Sequence, residues 1–267
     1  MLQGNFNQGW NWRLLNAKGL IFDVYENLSI EASKSNPDII IWPEYSIADD
    51  LPKDKTLMNR ISNLDKKTNA YLVVGTLRFY NTFYKNERER NDIALVFNRD
   101  GKLIGEYNSI KPVPFEKWVL PGNETNIFNT DIGNFGVSLC YEETQDTAKD
   151  FSGKGAEFLI SLSNDQRLEH TPGFYLISLY PNLMAAENGK YLIRATNTGI
   201  TKIVNPYGKI EAQLQPYKRG ILIGDIYLND RTTFYTKYGN LILYIVLLIF
   251  VILFFIVGIQ NQKTNNF

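Results

Sequence analysis

Apolar and polar positions along the chain recur on two periods. Over residues 13–34, Leu14, Leu15, Leu20, Ile21, Val24, Tyr25, Leu28 and Ile30 fall at helical spacing, and Asn36-Pro37-Asp38 ends the pattern. The run Ile39–Trp42 then reads as a short buried strand, stopped by Pro43 and followed by Glu44. A loose helical pattern over 51–69 leads to a second buried strand, Tyr71–Leu77. The charged stretch Asn81–Arg90 reads as a solvated loop or hairpin tip. Ile93–Phe97 and Leu103–Tyr107 flank Asp100-Gly101, a hairpin signal, and the second strand runs out at Ser109-Ile110-Lys111. Pro112, Pro114 and Pro121 keep the next segment irregular, which suits a loop over a site.

The second half repeats this grammar. Ile127–Ile132 and Phe135–Leu139 predict a hairpin turning at Gly133-Asn134, and a helix is expected over 144–152. Phe158–Leu162 is a strand ending in Ser163-Asn164-Asp165, followed by one long helix over 173–190 and a strand over Lys190–Thr196. A third hairpin, Ile200–Val204 with Ile210–Leu214, and a last strand, Gly220–Ile226, complete the pattern. The polar opening Gly4–Gly9, with Trp10 and Trp12 after it, belongs to no element. Hairpins mixed with helix-linked crossovers predict a layered α/β fold, with helices over a mixed sheet in one domain spanning 1–232.

The period disappears at the end of the chain. Leu241–Ile259 is uncharged over about nineteen residues and has no polar face, long enough for a transmembrane helix. Residues 233–240 form its approach and 260–267 a polar tail, with Tyr235, Tyr238 and Tyr244 placed as interfacial aromatics. Arg231, Lys237 and Lys263 are too thin a basic flank to set orientation. The polar start Met1–Asn5 lacks the apolar core of a signal peptide. Export would then depend on the terminal helix or on residues upstream.

Composition narrows the chemistry. Lys and Arg number 28 against 28 Asp and Glu, so no basic footprint for nucleic acid exists. One cysteine, Cys140, excludes an internal disulfide; with one histidine, His170, a Cys/His metal site is not expected. His170, between Glu169 and Thr171, reads as a loop residue.

Three of the expected strands end on reactive groups: Glu44, Lys111 and Cys140. A thiol needs a base, a partly dry carboxylate can take and return its proton, and an ammonium can stabilise an oxyanion. A buried structural cysteine is the plainer alternative for Cys140 taken alone.

Six segments change that balance: Gln3-Gly4-Asn5, Ile41–Glu44, Lys111 with Val113–Glu116, Cys140-Tyr141-Glu142, Ser163-Asn164-Asp165 and Arg194–Thr201. In order and content they resemble the carbon–nitrogen hydrolase (nitrilase) superfamily, and within it the catalytic domain of the apolipoprotein N-acyltransferases. The resemblance implies a four-layer αββα sandwich with Glu44 as base, Lys111 as oxyanion stabiliser and Cys140 as nucleophile. It implies supporting roles for Glu116 and Glu142, an oxyanion donor in the Tyr141 N–H, and a pocket wall at Asn164 and Asp165. It implies no cofactor and no metal. With the terminal span it implies a membrane-anchored enzyme in a bacterial inner membrane, its catalytic domain on the outer face. A phospholipid would donate the acyl chain and a lipoprotein would accept it.

The chain departs from that pattern in three places. No spans precede the catalytic region, which raises a separate multi-span membrane subunit as a partner. Gln166-Arg167 stands where the family carries an aromatic pair, and the segment from Lys111 to Glu116 is short. A membrane-anchored amidase, with water replacing the amine, and a non-enzymatic scaffold are the rival readings.

Overall fold

The computed structural model describes residues 1–6 and 17–264. Trp10, Trp12 and the expected helix start at 13–16 lie outside the described residues.

The first half opens with β1 (Leu2–Gln3) and α1 (Ala17–Ser33). β2 (Ile39–Trp42) follows, then α2 (Lys55–Thr68), then β3 (Tyr71–Tyr84), β4 (Glu87–Phe97) and β5 (Leu103–Asn108). The four strands form one sheet in the order β2-β3-β4-β5, parallel between β2 and β3 and antiparallel after that. The stretch read as a loop or hairpin tip is mostly strand. β3 and β4 continue past the sheet as an exposed two-stranded arm, with Tyr84 paired to Glu87.

The second half contains β6 (Ile127–Phe128), β7 (Phe135–Leu139), α3 (Thr147–Gly153), β8 (Phe158–Ser163), α4 (Pro172–Ile177), α5 (Tyr180–Asn188), β9 (Tyr191–Thr196), β10 (Lys202–Val204) and β11 (Ile210–Gln213). These strands make a six-stranded sheet, β11-β10-β9-β8-β7-β6, whose centre, β7-β8-β9, is parallel. β12 (Gly220–Ile221) pairs with β1 and is much shorter than the strand expected over 220–226. The long helix expected over 173–190 is two helices. Pro181 lies in the first turn of α5, where its missing N–H costs nothing, and the chain breaks just before it.

The alternation of side chains explains the layering. Ile40, Trp42, Leu72, Val74, Leu95 and Phe97 pack with Phe22, Tyr25, Leu57, Ile61 and Leu64 of α1 and α2. Their neighbours Ile41, Val73, Ala94 and Val96 face the other way, onto Phe135, Val137 and Leu139 of the second sheet. α3 and α5 cover that sheet through Ala148, Phe151, Met184 and Ala185. The result is helix, sheet, sheet, helix, with the central core between the sheets.

The chain ends in α6 (Phe234–Tyr238) and α7 (Leu241–Thr264). Thr233 and Thr236 fasten α6 to the end of α5, donating to Glu187 O (2.6 Å) and Asn188 Oδ1 (3.0 Å). Among the described residues no helix is long and apolar enough to cross a membrane. In α7 the described side chains stop at Ile256, and every one from Leu241 to Ile256 is exposed.

Candidate active site

Glu44 is held by the residues on both sides of it. Trp42 is fully buried, stacked on Tyr25 with ring centres 5.1 Å apart, and its indole N–H donates to Ser29 Oγ at 2.9 Å. The chain then turns sharply. Tyr45 takes φ +53°, Ser46 N–H donates to Pro43 O (3.2 Å), and Ser46 Oγ donates to Gly75 O (2.9 Å). The turn presses on β3 at Gly75, where a Cβ would lie 2.4 Å from Pro43 O and 2.6 Å from Glu44 Cα. Only glycine permits that approach. The Glu44 carboxyl is 2 % exposed, and its Oε2 has no hydrogen-bond partner.

Cys140 stands where β7 stops. Its φ is +48°, an uncommon conformation for a side-chain-bearing residue, and a 3-10 turn, Cys140–Thr144, begins there. The first N–H groups of such a turn find no partner within it, and Tyr141 is the second residue. The Cys140 thiol and the Glu44 carboxyl line the same cavity, close enough to act on one another's charge. Burial pushes the thiol well above its ordinary value, and Glu44, Asp165 and Glu143 push it further. Burial likewise raises Glu44, with Asp92 and Asp165 adding to the rise while the thiol and Arg90 oppose it. Burial thus disfavours the charged form of either group.

Glu142 joins the two sheets. Its Oε1 accepts from Tyr107 Oη (2.8 Å), Ile110 N (2.7 Å) and Lys111 N (3.2 Å), and its Oε2 accepts from Leu139 N (2.8 Å). One buried carboxylate thus fixes the end of β5 against the end of β7. Burial raises its pKa, and these hydrogen bonds pull it back. Lys111 reaches the site through this backbone link. Its side chain is not among the groups lining the cavity beside Cys140.

That cavity, about 280 Å³, is lined by Glu44, Cys140, Tyr141, Asn164 and Asp165 and by the apolar Val113, Phe115, Leu139, Leu168 and Ile177. Glu116 lines it as well, and it is not a surface carboxylate: it is 5 % exposed and lies between two arginines. Arg167 donates to its Oε1, and Arg90 stands 3.6 Å from its Oε2. Arg167, the residue that departs from the family's aromatic pair, is thus part of the cavity wall.

The floor is a buried ion cluster. Arg194 of β9 is fully buried and donates to Glu143 Oε1 (2.7 Å) and Oε2 (2.9 Å), and to Asp165 Oδ1 (2.8 Å) and Oδ2 (2.9 Å). Asn164 accepts from Gln166 N (3.4 Å) and starts the 3-10 turn that carries Asp165. A Cβ on Gly199 would lie 2.0 Å from Asp165 Oδ2, so this glycine makes room for the cluster. Arg194 opens the last of the six matched segments, whereas Glu143 belongs to none of them, and their pairing was not read from the sequence. Their signal is a charged residue inside a six-residue strand that is otherwise buried and apolar, a position that requires a partner.

His170 is exposed and stacks on Tyr217, with ring centres 5.7 Å apart. Among the described residues no group of His, Cys, Asp and Glu is arranged to hold a metal ion.

A sandwich of this layering, with a strand-end cysteine and a strand-end glutamate lining one cavity, is matched by the carbon–nitrogen hydrolase family model over residues 15–235; the chain belongs to this family of enzymes. Within it, the chain is 25 % identical over 264 residues to an apolipoprotein N-acyltransferase from Geobacter metallireducens, covering 90 % of this chain and 50 % of that protein. It is 26 % identical over 273 residues to the one from Haemophilus ducreyi, covering 91 % and 52 %. The chain therefore spans about half the length of the curated relatives it matches. Among solved structures, a carbon–nitrogen hydrolase from Helicobacter pylori G27 superposes with a TM-score of 0.68 at 18 % identity, over 82 % of this chain and 85 % of that one. An amidase from Nesterenkonia sp. AN1, with acrylamide added at its active-site cysteine, gives 0.67 at 13 % identity, over 85 % and 92 %. At these identities the superpositions establish the nitrilase-like sandwich and nothing further.

Proposed function

We propose that the chain is an N-acyltransferase that moves an acyl chain from a phospholipid to the N-terminal amine of a lipoprotein through a Cys140 thioester. The observation that carries this reading is that the Cys140 thiol and the buried Glu44 carboxyl line one otherwise mostly apolar cavity. Sγ attacks the ester carbonyl as its proton passes to Glu44. The Tyr141 N–H meets the tetrahedral oxyanion, and the Lys111 ammonium joins it by swinging into the cavity from the end of β5. Collapse breaks the ester bond, Glu44 returns the proton to the departing alkoxide, and a lysophospholipid leaves. The amine then attacks the thioester, gives its proton to Glu44, and the thiol is re-formed as the amide departs. Glu142 and Glu116 support this arrangement, and Asn164 and Asp165 shape the wall.

Two apolar surfaces support a membrane setting. α7 exposes its entire described face, and α4 and α5 expose Tyr175, Leu176, Leu179 and Leu183 along a stretch, 171–186, without a charged residue. We assign residues 241–259 as a single span of a bacterial inner membrane, with the catalytic domain on its outer face.

Incubation with phospholipid vesicles should add one acyl mass to Cys140, released by hydroxylamine and transferred to a lipopeptide amine. Absence of the adduct with every phospholipid, together with hydrolysis of simple amides, would establish the amidase reading instead.

A further inference from the structure

Arg90 occupies a position that none of the expected catalytic roles explains. It sits on β4 where the exposed arm joins the sheet, and its side chain is only 11 % exposed. Its Nε donates to Asp92 Oδ1 (3.2 Å) and its NH2 to Tyr45 Oη (3.1 Å), while the same NH2 lies 3.6 Å from Glu116 Oε2. The guanidinium also stands 5.7 Å from the centre of the Tyr45 ring. Its backbone is tied to the proline-bearing loop as well: Arg90 N–H donates to Trp118 O (3.0 Å) and Leu120 N–H to Arg90 O (2.7 Å). One residue therefore gathers the turn next to Glu44, the loop after Lys111, and two cavity carboxylates.

We propose that Arg90 is the positioning residue of the base: a planar cation that clamps Tyr45, Asp92 and Glu116 around Glu44, so that its carboxylate meets the Cys140 thiol. The proposal rests on Glu44 acting as the base, as in the function proposed above.

The charge balance requires such a group. Glu44 and Tyr45 come from the turn after β2, and Asp92 from β4. Glu116 comes from the loop, Cys140 and Glu143 from the turn after β7, and Asp165 and Arg167 from the turn after β8. Arg194 is committed to Glu143 and Asp165, and Arg167 contacts Glu116 from the solvent side. Arg90 is the cation that opposes the rise of Glu44. A guanidinium can hold three acceptors in fixed directions, whereas an ammonium is a point charge that cannot span them.

The test uses the single cysteine. Iodoacetamide alkylation of Cys140 in the full chain is followed by mass across pH, which needs no acyl donor. Arg90→Met should move the alkylation midpoint upward by about one unit or more, because like charges then face Glu44 unopposed. Arg90→Lys should bring the midpoint back toward wild type, yet react several-fold more slowly at the plateau because the clamp is lost. Arg99→Gln, at a surface arginine paired with Asp38 and Asp131, should match wild type throughout. An unmoved midpoint in Arg90→Met overturns the proposal. So does an Arg90→Lys protein that equals wild type in both readings, and this second comparison decides the matter if Arg90→Met fails to fold. A shifted profile in a protein that never forms an acyl adduct would remove the acyltransferase reading and leave this one standing.

Discussion

Cys140 and Glu44 line one cavity from different sheets, the first directly beyond β7 and the second just beyond β2. Each residue sits at the end of a buried parallel strand, in or beside a turn with positive φ. Both groups are raised by burial, which keeps the proton on the pair until a carbonyl arrives.

Glu44→Gln keeps the shape and removes the base. Thioester formation should fall about 10²–10⁴-fold, measured by intact mass after mixing with phospholipid. The thermal midpoint should stay level or rise, because a buried carboxylate oxygen without a partner is removed.

Gly75→Ala tests how the Glu44 turn is seated. The new methyl would overlap Pro43 O and the Glu44 backbone, so the turn must shift. A loss of about 1–3 kcal/mol is expected in chemical denaturation, along with slower Cys140 acylation.

Arg194→Met strands Glu143 and Asp165 without their counter-ion. Denaturant unfolding at neutral pH should show a loss of about 3–5 kcal/mol.

Asp65 on α2 is fully buried, neither of its carboxylate oxygens has a hydrogen-bond partner, and burial raises its pKa from 3.8 to about 8. The folded state thus prefers the protonated acid. Its contribution is complete below the unfolded pKa and is lost as pH rises toward and through about 8. Asp65→Asn should flatten the fall in stability between about pH 5 and about pH 9, read by urea midpoints.

The strand ends were legible in the sequence because a buried strand announces its own limits. Ile39–Trp42 is bounded by Pro43, and Phe135–Leu139 runs straight into Cys140 and two acids. Pattern could not separate one mixed sheet from two facing ones, since both demand the same alternation; the four layers came from the resemblance. The break between α4 and α5 was missed because apolar spacing carries across it while Pro181 does not. The span over 241–259 remains a reading of the sequence, because the described side chains of α7 stop at Ile256. Lys111 was placed at the correct strand end, but its backbone rather than its ammonium is what the observed contacts secure. Arg90 stayed hidden inside a charged stretch that looks solvated from the sequence, because all its partners but Asp92 lie on two other segments.

The Glu142 carboxylate spans the junction between the leaves, with Tyr107 and the residues after β5 on one side and Leu139 on the other. Neither leaf can slide over the other at this end without first tearing that joint. The end of β5 and the turn that begins at Cys140 are therefore pinned as one unit by a single buried side chain.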